Sequence, residues 1–414
     1  MIRMQDETVN RQEIADMATA AIHGHAQVNA AHAHLVPIFA SASFTFDSAE
    51  QGMFRFSGKE KGYTYSRFGN PTTEAAARLV ADLETFGVYD AAGKPVQAEA
   101  LLTASGQSAM TVMFLANLSA GDSLVCNASV YGGTFEFLNN LLPRFGIRTH
   151  FISMNELEAL EHLLQTDEKI RLLHLESPSN PGMQCLDIAA IAALCRKYDK
   201  LLTIDNTFAT PYLQQPFRFG ADYIFHSTTK FLNGHGNAIG GVLIGRDLAA
   251  MKGRVYQTYK LIGCNSNPFD AFLLMQGIKT LGVRMNKHCS NAEKIAAFLA
   301  SHPSIGKVYY NGLPDHPDYT ISVKQMKHPG AVLSFELKDG FEQAVRFIDR
   351  LKICVRAVSV GSTDTLVSHP ASMSHAGMLR EQRLQAGITD GLVRMSVGLE
   401  DAQDLVRDLE QALA

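Results

Sequence analysis

Asp222-Tyr-Ile-Phe-His-Ser-Thr-Thr-Lys230-Phe-Leu-Asn-Gly-His-Gly236 is the stretch on which the reading of this chain turns. Tyr223 to His226 is a short apolar run, read as a buried strand. Ser227 and Thr229 follow, then Lys230, then glycines at 234 and 236. An amine at the end of a buried strand is partly desolvated, which lowers its pKa and makes it a better nucleophile. Hydroxyls one and three residues before it are placed to donate to a phosphate. A reactive amine beside a phosphate cradle is what pyridoxal phosphate needs: a lysine to bond its aldehyde and an anchor for its 5′-phosphate.

The second need of that cofactor is met upstream. Leu201-Leu-Thr-Ile-Asp205-Asn-Thr is an apolar strand ending in a carboxylate. The cofactor works as an electron sink while its ring nitrogen stays protonated, and an acidic partner keeps it so. Each residue alone has a plainer reading: Asp205 as a turn or helix cap, Lys230 as a surface lysine. With Ser227 and Thr229 between them, the functional reading is the better one.

Working outward, strand and helix patterns alternate through residues 100–250, which predicts a mostly parallel sheet with right-handed crossovers. Leu101-Leu-Thr-Ala-Ser105-Gly106-Gln107-Ser108 runs from a strand through a small-residue turn into a helix, an anion site because free amides point outward there. A tightly packed turn is the alternative. A helix dipole contributes only ~0.3–2 kcal/mol, so hydroxyls and an arginine must add charged hydrogen bonds of ~1.5–3 kcal/mol each. Further strands are expected at 122–127, 171–176, 331–337 and 392–397. Helices are expected at 11–23, 73–83 and 187–198, with one long helix through 268–284. Residues 86–100 read as a polar connection of no evident purpose.

Composition bounds the rest. The chain has 414 residues, 46% hydrophobic and 19% charged, with a net charge of −4, as expected of an ordinary globular protein of two domains. No basic block points to nucleic acid. No apolar run approaches the ~20 residues of a membrane span, and Met1–Glu7 has no apolar core of a signal peptide. The six cysteines are scattered without a C-x-x-C pair, which favours free thiols in a reducing cytoplasm. His23, His25, His32 and His34 form two H-x-H pairs, but no further ligand sits at metal-site spacing, so no metal is expected. Gly234-x-Gly236-x-x-x-Gly240-Gly241 has the wrong spacing for a dinucleotide site. No P-loop and no G-x-S-x-G is present.

Taken with Tyr65-Ser-Arg67-Phe-Gly-Asn-Pro-Thr, Tyr131-Gly-Gly-Thr, Glu176-Ser-Pro-Ser-Asn180-Pro and Val393-Arg394-Met-Ser-Val-Gly-Leu-Glu-Asp401, the lysine stretch resembles the Cys/Met-metabolism family of pyridoxal-phosphate enzymes. That family includes cystathionine synthases and lyases, methionine γ-lyases and O-acylhomoserine sulfhydrylases. The likeness runs from about residue 20 to the C-terminus. It implies an α/β, aspartate-aminotransferase-like fold (fold type I). An arm over 1–65 would contact a neighbouring subunit, a large domain over 66–265 would bind the cofactor, and a small C-terminal α/β domain would span 266–414.

The resemblance also assigns roles. Lys230 would carry the cofactor and shuttle protons. Asp205 would face the ring nitrogen, and Asn180 a ring oxygen. Gly106, Gln107, Ser227 and Thr229 would surround the phosphate, joined by Tyr65 and Arg67 of the adjacent protomer. Tyr131 would stack on the ring and assist the leaving group, and its plainer reading is a turn aromatic. Arg394, in an apolar strand, would bind the substrate carboxylate with Ser359, an internal salt bridge being the alternative. The His369–His375 loop would help orient Arg394, its histidines structural. The assembly implied is a homotetramer built from dimers with shared active sites. Its partners would be a small amino acid and a sulfide or thiol donor.

Two reactions are open. Methionine γ-lyases usually carry cysteine where Gly133 stands and aspartate where Leu261 stands. Gly106-Gln107-Ser108 and Tyr131-Gly-Gly-Thr134 look more like sulfhydrylases. Asp364 and the His369 loop look lyase-like. The reading favours γ-replacement on O-acetylhomoserine or O-succinylhomoserine with sulfide, giving homocysteine for methionine biosynthesis. The alternatives are elimination by a methionine γ-lyase or cystathionine lyase, then cystathionine γ-synthase. A non-catalytic homologue has no need of Lys230, Asp205 and Arg394 together.

Overall fold

The computed structural model describes residues 14–24, 32–374, 376–377, 379–385 and 387–414. His25 and His375 therefore lie outside the described residues, as do 11–13 of the helix expected at 11–23; the helix itself starts later, at Met17, capped by Asp16, and runs to His23.

Seven strands form the larger sheet: β1 (Glu99–Thr103), β2 (Ser123–Asn127), β3 (Arg148–Ile152), β4 (Ile170–Glu176), β5 (Leu201–Asp205), β6 (Tyr223–Ser227) and β7 (Gly241–Gly245). Their order is β1-β7-β6-β5-β4-β2-β3. All neighbours are parallel except β7, which runs against both β1 and β6. β2, β4, β5 and β6 are nearly continuous apolar runs because helices cover both faces. One face holds Leu79, Val80, Leu83, Leu173, Leu175, Ile191 and Ile204. The other holds Met110, Met113, Phe114, Leu124, Leu172 and Leu243.

Register decides where chemistry can occur. Glu176 pairs with Asp205, and Asp205 with Phe225. Ser227 and Thr103 both meet Gly241. The carboxyl ends of β1, β4, β5 and β6 therefore finish at one edge, where ligands bind in open α/β sheets. On the far face of β6, His226 Nε2 lies 2.7 Å from Glu84 Oε1, and both side chains are fully buried.

A second sheet follows: β8 (Ile305–Tyr309), β9 (Val332–Leu337), β10 (Val355–Arg356), β11 (Leu366–Ser368) and β12 (Leu392–Ser396), in the order β10-β11-β12-β9-β8. The helices Leu281–Ser301, Gly340–Arg350 and Ala402–Leu413 pack their apolar faces on it through Ile295, Leu299, Phe347, Leu405 and Leu409.

Three expectations change. The long helix expected through 268–284 is two, Pro268–Ile278 and Leu281–Ser301. The break is fixed by Arg284. Its guanidinium donates to the carbonyls of Gly277, Phe231 and Leu232 at 2.8, 2.8 and 3.3 Å, ending the first helix on the loop that follows Lys230. The N-terminal segment holds a second helix, Ala49–Phe56, capped by Ser48. Residues 86–100 are no plain connection: Tyr89 and Pro95 form an isolated bridge, and β1 already begins at Glu99. Among the described residues no helix is long and apolar enough to cross a membrane. All six cysteines are free thiols.

Candidate active site

A cavity of about 280 Å³ opens at the carboxyl edge of the larger sheet. Gly106, Gln107, Tyr131, Asn180, Asp205, Ser227, Thr229, Lys230, Ser359 and Arg394 all line it. Ten sequence candidates, up to 288 positions apart (394 minus 106), are thus brought to one place.

Lys230 follows the β6 edge. Its Nζ donates to Ser359 Oγ at 2.9 Å. Burial, and then the positive charge of Arg394, hold the ammonium below the ordinary lysine value. Ser359 reaches it from the loop before β11 and also accepts, through its carbonyl, from Arg394 Nη2 at 3.4 Å. The amine is therefore partly dry, beside a cation, and hydrogen-bonded to a neutral hydroxyl. The first two conditions favour the nucleophilic neutral form.

Asp205 closes β5 and is 9% exposed. Thr207 N–H donates to its Oδ1 at 3.0 Å, and the Thr207 hydroxyl donates to the same oxygen. That fixes the carboxylate while its second oxygen is left for a ligand. Burial raises its pKa, opposed by Thr207 and by His226. A cationic ring nitrogen would repay that desolvation. Phe225 completes this wall and stacks on His174, with centroids 5.7 Å apart.

The phosphate end is built by the helix Gly106–Asn117. Ser105 caps it, accepting from Ser108 N–H at 3.1 Å, which leaves the Gly106 and Gln107 amides without an intrahelical acceptor. A Cβ on Gly106 would lie 2.8 Å from Ser227 Cβ and 3.0 Å from its Cα. Only glycine lets the helix start this close to the β6 edge. Ser227 N–H donates to Thr207 Oγ1 at 2.9 Å, tying the phosphate end to the Asp205 end. The Thr229 hydroxyl accepts from Gly240 N–H at 3.0 Å and donates to its carbonyl.

Tyr131 begins the short helix Gly132–Glu136, and its side chain is half exposed. A Cβ on Gly133 would fall 2.2 Å from Gln107 Nε2 and 2.6 Å from Tyr131 Cε1. The glutamine amide and the tyrosine ring thus occupy the space a side chain would need there. Arg394, on β12, donates to Asn180 Oδ1 at 3.4 Å. Burial lowers its pKa, opposed by Tyr131 and Glu176.

Tyr65 and Arg67 stand apart from this chain's own cavity. Arg67 donates to the Lys260 carbonyl at 2.7 Å and covers the Phe68 ring. In the 369–375 loop, His369 bonds Ser372 Oγ and the Asp390 carbonyl, each at 2.8 Å, the structural place expected of it, and does not line the cavity. Three residues had no role assigned from sequence: Glu176, Thr207 and Arg284. The first two stand inside quoted motifs, but their partners are remote in sequence. Arg284 lies in a helix with nothing to mark it.

A buried amine, a fixed carboxylate on the next strand, a glycine-tight helix start and an arginine beyond them fit pyridoxal phosphate in every part. Fold and site together define a pyridoxal-phosphate enzyme of the aspartate-aminotransferase-like class. Residues 18–414 match the Cys/Met metabolism PLP-dependent enzymes, and the chain belongs to that family. It is 42% identical over 399 residues to an L-methionine gamma-lyase of Fusobacterium nucleatum, covering 96% of this chain and 98% of that one. It is 38% identical to an O-succinylhomoserine sulfhydrylase of Pseudomonas aeruginosa, covering 92% and 91%. Its fold superposes on a cystathionine gamma synthase from Xanthomonas oryzae, crystallised with aminoacrylate and cysteine, with a TM-score of 0.88 at 34% identity, covering 97% and 98%.

Proposed function

We propose that this enzyme eliminates the γ-substituent of a sulfur amino acid with an uncharged side chain, methionine first, releasing a thiol, ammonia and a 2-oxo acid. One observation carries the reading. Among the described residues lining the cavity the cations are Lys230 and Arg394, and much of the remaining wall is apolar: Met110, Phe208, Ile239, Val358 and Val360. One substrate carboxylate has a partner in Arg394. A second, as in cystathionine or a succinyl ester, has none among the described residues lining the cavity. The 42% identity to a methionine gamma-lyase supports the same reading.

Pyridoxal phosphate, when bound, supplies the electron sink for charge developing at the α-carbon. Lys230 would carry the cofactor and serve as the base, its neutral Nζ taking the α-proton, handing it on and, neutral again, taking a β-proton. Asp205 keeps the ring nitrogen protonated, and Asn180 holds the ring oxygen. Gly106 and Gln107 would offer amides, and Ser227 its hydroxyl, to the phosphate, and the Thr229 hydroxyl would turn from the Gly240 carbonyl to join them. Arg394 and Ser359 hold the substrate carboxylate. The Tyr131 hydroxyl passes a proton to the departing sulfur.

γ-Replacement is the second reading, favoured by Gly133 with Gln107 packed against it and by Leu261, which is 70% exposed beside Lys260. Here sulfide would displace the acyl group of O-acetylhomoserine to give homocysteine. The cavity's charge favours the acetyl over the succinyl ester. Tyr65 and Arg67 then serve the phosphate of an adjacent protomer, in dimers that pair into a tetramer. The arm, large domain and small domain divide near residues 65 and 265. Six free thiols suit a reducing cytoplasm.

The test is a product assay on the holoenzyme, with L-methionine alone and with O-acetylhomoserine plus sulfide. 2-Oxobutyrate and methanethiol from methionine are expected. Homocysteine from the second mixture, with no turnover of methionine, would replace elimination with the second reading.

A further inference from the structure

Glu176, the last residue of β4, is only 4% exposed yet lines the cavity. Backbone amides of two other cavity residues use both of its oxygens. Tyr131 N–H donates to Oε2 at 2.7 Å, and Asn180 N–H donates to Oε1 at 3.1 Å. Asn180 Oδ1 in turn accepts from Arg394 Nη1 at 3.4 Å. One carboxylate thus joins the loop after β2, the loop after β4 and, through Asn180, an arginine from the second sheet. Such tethers fix a geometry because breaking either leaves a buried donor unpaired.

Charge points the same way. A buried guanidinium needs an anion, but among the described residues the two hydrogen bonds shown for Arg394 go to uncharged oxygens at 3.4 Å. Glu176, when ionised, attracts it. The groups facing Glu176 are Asp205 on β5, Cys126 on β2, Tyr131 and Arg394. Burial and then Asp205 push its carboxyl up, against the two amides and Arg394. A ring cation beside Asp205, as the cofactor would supply, would relieve that repulsion and favour the ionised form of Glu176.

We propose that Glu176 is a positioning residue that holds Tyr131 and Asn180 at the cavity wall and acts as counter-charge to Arg394 until a substrate carboxylate takes that arginine over. The role rests on the family's cofactor and not on which γ-reaction prevails, so elimination and replacement require it alike.

Glu176→Gln keeps the shape, loses one of the two tethers and removes the charge. A residue needed only for folding would raise KM, lower kcat and lower the melting temperature together. The role proposed here separates them. With the charge gone the incoming carboxylate meets less repulsion, so KM should not rise. With Tyr131 loosened, kcat should fall about tenfold or more, equivalent to 1.4 kcal/mol of barrier. A spectral readout needs no substrate, so it stands even if the reaction proposed above is wrong. Titration of the cofactor's visible band should show a midpoint at lower pH than in the wild type, because an anion that favours the protonated form has been removed. Glu176→Asp, which keeps the charge but draws it back from both amides, should lower kcat and leave that midpoint in place. It also carries the test if the glutamine variant does not fold. Wild-type kcat in either variant, a raised KM, or an unmoved midpoint in Glu176→Gln would overturn the proposal.

Discussion

A lysine in water and a lysine behind a strand end differ in how much of the time the amine is neutral. Burial and Arg394 both push Lys230 toward the neutral form. A base with a lowered pKa is deprotonated at lower pH. The rate at which apoenzyme takes up pyridoxal phosphate should therefore rise with pH through a midpoint below the ordinary lysine value of 10.5, as followed by growth of the visible band. Lys230→Ala should lower turnover by roughly 10³-fold or more, while the phosphate site still holds the cofactor noncovalently. Wild-type-like turnover in that variant would remove Lys230 from the mechanism. The motif around Lys230 shows in the sequence because strand, hydroxyls and amine are contiguous. The use of Ser359 as its partner does not, because 129 residues separate them.

At the scale of elements, the phosphate end depends on how closely a helix can approach a strand edge. Gly106 permits contact with the Ser227 backbone, at 3.0 Å from its Cα to a built Cβ. Gly106→Ala must move either the helix start or β6, since backbone cannot swing aside as a side-chain tip does. Affinity for pyridoxal phosphate should fall about tenfold or more, or 1.4 kcal/mol, in a cofactor-release assay. The melting temperature of the apoenzyme should fall as well, because the contact is overpacked. An unchanged affinity would mean that the helix amides do not reach the phosphate. Most strands and helices can be read from the chain, because apolar runs and caps such as Ser105 and Asp187 are local signals. The break after Ile278 cannot, since its cause, the hold of Arg284 on the Phe231 carbonyl, spans 53 residues.

At the scale of the whole molecule, Tyr65 and Arg67 are the candidates that this chain does not bring to its own cavity. If they serve a partner's phosphate, each site draws on two chains. Arg67→Ala and Lys230→Ala protomers, each nearly inactive alone, should then regain activity when unfolded together and reassembled. Half of randomly formed dimers would be mixed, each with one intact site, giving roughly a quarter of wild-type activity. No recovery would place both residues at the phosphate of their own chain or outside the site.

From the sequence alone came the cofactor, the reactive amine, its acidic partner and the family, because each rests on residue types in short, ordered motifs that desolvation and charge make chemically legible. The tertiary structure decided the rest: that Glu176 stands beside Asp205, that Gln107 fills the space over Gly133, that His369 bonds Ser372 and Asp390, and that among the described residues the cavity wall carries no third cation. These are distances between side chains on different strands and sheets. They are set by register and packing, which no stretch of sequence encodes by itself.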